Sequence, residues 1–176
     1  PGRNADAVAD LTIGLMIALL RNICIADRML RREKIVISGF RDFLEMYERL
    51  RGFELGGKTV GIVGFGKIGY RVAKRLVPFG VRILVYDPYV KDNDERLREV
   101  NAEKVSFERL LKESDIVTVH CAVTPETLYM FKEEQFKMMK KGAFFLNLAS
   151  GAVVREQDLI KALREGWIAG AAVDVA

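Results

Sequence analysis

The chain has 176 residues, half of them hydrophobic, and a formal net charge of +4, which suits one domain with a full core rather than a disordered chain. Its basic residues alternate with acidic ones, as in Lys91-Asp92-Asn93-Asp94-Glu95-Arg96, and form no stripe with interleaved aromatics, so no nucleic-acid partner is expected. One histidine, His120, and two cysteines, Cys24 and Cys121, give neither a metal-ligand spacing nor a disulfide framework; no metal is expected, and reduced thiols suit a cytoplasmic protein.

In chain order, Asn4 or Asp6 can cap a long helix that runs to about Leu30. Its apolar run, Leu11 to Leu20, is shorter than the ~20 residues a bilayer requires, and no cleavage site follows it, so neither a membrane partner nor a signal peptide is expected. The helix carries apolar residues on more faces than one sheet can cover. A second copy, or an arm from residues 31–55, is expected to bury the remainder, which predicts a homodimer. Phe40, Phe43, Leu44, Met46, Tyr47 and Leu50 suggest another amphipathic helix or packed arm, and Gly56-Gly57 marks the turn that follows.

Beyond this turn strands and helices alternate. Strands are expected near 59–64, 82–86, 103–105, 115–119, 143–147 and 168–174. Helices are expected near 68–78, 106–113, 132–139 and 155–165. Gly80, Gly142 and Gly166 fall just after helices, where a left-handed residue belongs. The strands are near-continuous apolar runs, as in a parallel sheet covered on both faces. The pattern is α/β, a doubly wound parallel sheet of Rossmann type with an N-terminal long helix. Residues 1–55 read as a helical arm and 56–176 as a nucleotide-binding core.

The first strand runs into Gly64-Phe65-Gly66-Lys67-Ile68-Gly69, which opens a helix, and the next strand ends on Asp87. Gly64 permits the tight turn, Gly66 lets a pyrophosphate approach the backbone, and Gly69 lets the helix pack on the strand. The helix N-terminus faces the phosphates, and Asp87 can accept both ribose hydroxyls of an adenosine. Asp87 would repel a 2′-phosphate, and Pro88-Tyr89 offers no arginine to accept one. The expected cofactor is therefore NAD, preferred over NADP.

The carboxyl ends of the remaining strands hold His120-Cys121, Asn147 to Ser150, and Asp174. With Asn4 to Asp10, Tyr86-Asp87-Pro88, Ser114 to His120, Thr124-Pro125-Glu126-Thr127, Met139 to Ala143, Asn147-x-Ala149 with Gly151, and Ala169 to Val175, the chain resembles the NAD-binding domain of the D-isomer-specific 2-hydroxyacid dehydrogenases of the phosphoglycerate, glyoxylate and hydroxypyruvate type. The resemblance covers nearly the whole chain. It implies that the pyrophosphate lies over Lys67 and Ile68, that Cys121 and Thr124 lie along the cofactor, and that Leu148, Ala149, Ser150 and Asp174 lie near the nicotinamide. It also implies that the catalytic glutamate and the general-acid histidine lie beyond Ala176, and that the substrate domain lies mainly before residue 1, so this chain alone is expected to be inactive. A sheet that ends on its last strand with no closing helix fits a piece of a longer protein. His120 reads as a structural histidine bonded to backbone, and Cys121 as a small residue lining the cleft.

The chain departs from the family pattern at two positions. Ser150 stands where the family has an arginine that clamps the 2-oxo acid by a bidentate, charge-assisted fork. Ala122 stands where proline is usual, which alters loop stiffness. The expected function is hydride transfer between NAD(H) and a 2-hydroxy or 2-oxo acid in the full-length enzyme. The alternative, raised by Ser150, is a non-catalytic NAD-binding dimeric module like the corepressors of the family.

Overall fold

A computed structural model describes residues 4–32 and 37–174 of the chain. Val175 of the last motif, and residues 33–36 of the expected arm, lie outside the described residues.

Helix α1, Ala5–Leu20, is followed by α2, Ile23–Arg32, and α3, Phe40–Leu50. The sequence predicted one helix to Leu30; instead the chain breaks at Arg21-Asn22, and α1 and α2 meet at 65°. Asn22 takes the left-handed conformation at φ 54°, which asparagine tolerates better than most residues. Its side-chain amide donates to the carbonyls of Leu50 and Arg51 at 3.4 and 3.0 Å, and Phe53 N–H donates to the Leu20 carbonyl at 2.9 Å. The returning segment is thereby tied to the end of α1. Neither expected cap closes α1 with its side chain; Asp6 and Asp10 instead pair with Arg71 and Arg75 across the helix interface.

Strands β1 (Thr59–Val63), β2 (Arg82–Tyr86), β3 (Ala102–Lys104), β4 (Ile116–Val119), β5 (Phe144–Asn147) and β6 (Gly170–Val173) form one parallel sheet in the order β3-β2-β1-β4-β5-β6. The order reverses between β1 and β4, where Val63 is level with Tyr86 on one side and Val119 on the other. Helices α4 (Lys67–Leu76), α5 (Glu95–Glu99), α6 (Phe107–Glu113), α7 (Glu133–Met138) and α8 (Glu156–Arg164) complete the fold. The sheet is buried on both faces, as parallel pairing demands. On one side Met16 and Leu20 of α1, with Val72 and Leu76 of α4, cover Val60, Ile62 and Ile83. On the other, Leu110, Phe136 and Leu159 of α6 to α8 cover Val117, Val119 and Phe145.

Helix α5 falls in the charged stretch 91–99, where no helix was expected. Asp94 caps it, its carboxylate accepting from Arg96 N–H at 3.0 Å, and Leu97 anchors it in the core. Gly80, Gly142 and Gly166 all have positive φ, at 67°, 87° and 67°. Gly69 is required for space, since a Cβ there would overlap the Gly64 carbonyl oxygen. Gly14, inside α1, would meet nothing within 4 Å. Urea denaturation should therefore show Gly69→Ala less stable by about 1–3 kcal/mol through overpacking, and Gly14→Ala more stable by about 0.5–1 kcal/mol through helix propensity.

Candidate cofactor site

A cleft of about 560 Å³ opens where β1 and β4 part. The loop after β1 supplies Gly64 and Gly66, the end of β2 supplies Asp87 to Tyr89, and the segment after β4 supplies His120, Cys121, Ala122, Thr124 and Thr127. Gly64 adopts φ 91°, and a Cβ on it would lie 2.6 Å from the Cys121 nitrogen, so glycine sets how closely the two loops approach. Gly66 is different: it has an ordinary φ of −75°, and a Cβ there would meet nothing within 4 Å. It precedes α4, whose first N–H groups lack intrahelical acceptors and are capped by no side chain. The open space at Gly66 and the exposed helix start make a cradle of uncapped N–H groups that a side chain would fill.

The Asp87 carboxylate braces this cradle. One oxygen accepts from Phe65 N–H at 2.7 Å and the other from Tyr89 N–H at 2.9 Å. Each oxygen keeps a lone pair for a further donor. Thr124 and Thr127 build the opposite wall: Thr124 N–H donates to the Thr127 hydroxyl at 2.8 Å, and that hydroxyl donates to the Ala122 carbonyl at 2.7 Å. These bonds order the turn despite alanine at position 122.

His120 is bonded to the Thr118 hydroxyl through Nε2 at 2.8 Å, so the expected backbone partner is replaced by a side chain. Its Nδ1 is enclosed without a partner among the described residues. Burial pushes its pKa from 6.5 down to about 3, so the ring is neutral at physiological pH. Burial, followed by the negative charge of Asp87, pushes the Cys121 thiol up, which disfavours the thiolate; its Sγ lies 3.9 Å from Met130 Sδ.

The other expected site residues lie outside this cleft's walls. Lys67 is exposed at the start of α4, while Ile68 packs against the core. The turn after β5 is organised by buried Asn147, which accepts from Ala149 N–H and donates to the Ser150 carbonyl, both at 3.1 Å. Sequence reading quoted Asn147 within a motif but assigned it no role. Leu148 is buried, Ala149 is half-buried, and Ser150 is exposed, its hydroxyl accepting from Ala152 N–H at 3.3 Å. Asp174, just past β6, is exposed, with its N–H on the Asn147 carbonyl at 3.1 Å. Arg155 does not replace the missing arginine: it stacks 6.0 Å over Tyr129 and approaches Asp158 at 3.9 Å.

Residues 13–176 match the sequence family described as D-isomer specific 2-hydroxyacid dehydrogenase, NAD binding domain. The chain is similar to a glyoxylate reductase of Thermococcus litoralis, 45% identical over 99% of this chain and 51% of that protein. Among solved structures it is similar to the NAD-complexed D-isomer specific 2-hydroxyacid dehydrogenase of Lactobacillus delbrueckii ssp. bulgaricus, at 33% identity and a TM-score of 0.82 over 97% of this chain and 50% of that one. It is also similar to the NAD-dependent formate dehydrogenase of Staphylococcus aureus in complex with NAD, at 34% identity and a TM-score of 0.84 over 98% and 48%. The chain spans about half the length of the curated relatives it matches.

The half-buried His120, whose ring Nδ1 is enclosed, gives stability a pH dependence of defined sign. Its folded pKa lies below 6.5, so its contribution is full above that value and is lost as pH falls toward 3. In that window the unfolded chain binds the proton, at about 1.4 kcal/mol per pH unit. Urea unfolding of the chain and of His120→Gln between about pH 7 and about pH 4 should show a steeper loss of stability with falling pH for the histidine protein than for the variant, whose remaining slope comes from carboxylates such as Asp115 and Glu133.

Proposed function

The chain belongs to the D-isomer specific 2-hydroxyacid dehydrogenase family through its NAD binding domain, and from that membership we propose that the longer protein transfers hydride between NAD(H) and a 2-hydroxy or 2-oxo acid. The observation that carries the reading is the cradle at Gly66 beside a carboxylate that still has free lone pairs. When bound, NAD(H) supplies or accepts the hydride. The backbone of Gly66, Lys67 and Ile68 holds the pyrophosphate, with Gly64 and Gly69 shaping the loop. Asp87 accepts the adenine-ribose hydroxyls, and Cys121 and Thr124 line the cofactor's path. Leu148, Ala149, Ser150 and Asp174, at the ends of β5 and β6, flank the nicotinamide. His120, neutral and bonded to Thr118, is not assigned the proton transfer, which falls to a residue of the longer protein. Residues 1–55 then serve as a helical arm on a nucleotide-binding core of 56–176, in a cytoplasmic setting, and the 176-residue chain alone lacks dehydrogenase activity.

A homodimer built through the arm is part of the same proposal. Leu11, Ile23, Ile25 and Leu30 of the stretch first read as one helix are exposed, and the uncovered apolar surface continues onto α3. Leu15 and Leu19 of α1 pack against the domain's own core, whereas α3 buries none of its residues. Phe40, Phe43 and Tyr47 of α3 stack in a row, and Phe40 is 75% exposed. A second copy is the simplest cover for such a row.

Three measurements test these readings. Calorimetric titration should show NADH binding at least about tenfold tighter than NADPH, because Asp87 repels a 2′-phosphate; equal affinity would refute the preference. In the longer protein, Ser150→Arg should raise turnover of glyoxylate, hydroxypyruvate or pyruvate by roughly 10- to 150-fold, the value of a charge-assisted clamp felt in the transition state; a slower variant of an already fast enzyme would place serine in a different pocket. Light scattering should give twice the monomer mass, falling to one for Phe43→Glu with Tyr47→Glu, while a wild-type monomer would remove the dimer.

A further inference from the structure

The charged segment after β2 holds an arginine that neither the glycine motif nor the relatives' names assign a role. Arg96 lies in the first turn of α5, and its guanidinium is aimed by Asp94: Nε donates to Oδ1 at 3.0 Å and Nη2 to Oδ2 at 2.7 Å. So oriented, it lies 5.4 Å over the Phe65 ring and 5.8 Å over the Tyr70 ring, and Nη1 donates to the Phe65 carbonyl at 3.3 Å. Phe65 is fully buried and is the residue between the first two glycines of the loop. Its N–H is held by Asp87 at 2.7 Å. Residue 65 is thus gripped at both ends of its backbone, at N–H by an anion and at C=O by a cation. The Phe65 carbonyl belongs to the peptide group whose other end is the Gly66 N–H, at the phosphate cradle. Polarising that carbonyl with a cation strengthens the same peptide's N–H as a donor.

We propose that Arg96 is a positioning residue for cofactor binding: through the Phe65 carbonyl it fixes the peptide that presents the Gly66 N–H to the pyrophosphate. The guanidinium need not touch the cofactor. Arginine suits the task because one planar fork can bind a carboxylate, a carbonyl and an aromatic face together. Tyr70, in the first turn of α4, is bonded through its hydroxyl to Glu99 of α5, and Glu99 also pairs with Lys74 at 3.1 Å. Helix α5 therefore grips both the glycine loop and the helix whose N-terminus completes the cradle.

The inference rests on reading the cleft as a dinucleotide site, so the test includes ligands that separate the two. Arg96→Gln and Asp94→Asn would be titrated with ADP-ribose, which carries the pyrophosphate, and with adenosine, which reaches Asp87 but lacks phosphate. Thermal unfolding would be recorded beside each titration. Both variants should bind ADP-ribose about tenfold more weakly and adenosine within about twofold of the unaltered chain, with Arg96→Lys recovering part of the loss because it keeps a cation for the carbonyl. ADP-ribose affinity unchanged in a folded Arg96→Gln overturns the inference, as does an equal loss for both ligands. If Arg96→Gln does not fold, the same ratio in Asp94→Asn decides. Failure of the unaltered chain to bind ADP-ribose or NADH overturns the dinucleotide reading itself, and this inference with it.

Discussion

The bond from Phe65 N–H to the Asp87 carboxylate is the interaction on which the cleft depends. It joins the loop after β1 to the end of β2 at 2.7 Å, next to the point where the strand order reverses. A charge-assisted bond of this kind contributes about 1.5–3 kcal/mol, enough to hold a glycine-rich loop that has no side-chain packing of its own at Gly64 and Gly66. The same carboxylate then faces the cleft with capacity left over. Fold and site therefore share one group, and an alteration at Asp87 disturbs the loop as well as whatever the cleft binds.

Around this bond the glycines divide the work by geometry. Gly69 is required because α4 runs against the Gly64 carbonyl, and Gly61 because Leu110 and Ser114 of the opposite face come equally close to β1. Both faces of the central strand are thus packed to the backbone. Gly66, with empty space in front of it, is the exception, and its position at the start of α4 puts that space beside uncapped N–H groups, the setting the proposed phosphate site needs. Arg96, in an ion pair with Asp94, donates to the carbonyl of Phe65 within the same loop.

Much of this was legible in the sequence. Six strands were expected and six occur among the described residues, with ends displaced by no more than a couple of residues, because buried parallel strands are continuous apolar runs between glycine-marked helix ends. The glycine loop and the acid that ends β2 were readable because their spacing is dictated by the phosphate-binding turn. Three features were hidden. Asn22 ends α1 inside an otherwise helical pattern; asparagine tolerates the left-handed state, and its contacts with Leu50 and Arg51, distant in sequence, hold it there. Helix α5 was masked by its charges, although Asp94 as a cap and Leu97 as an anchor were both present. The bond from His120, just past the end of β4, to Thr118 within it joins residues two apart, which alternation alone places on the same side but does not pair.

The central claim is that ligand binding acts on the loop held between Asp87 and the start of α4. Amide hydrogen exchange with and without NADH tests it most directly. The account predicts slowed exchange in residues 64–69, 87–89 and 121–127, with α3 unchanged. Protection confined to α2 and α3, or to the segment between β5 and α8, with the glycine loop unaffected, would contradict it.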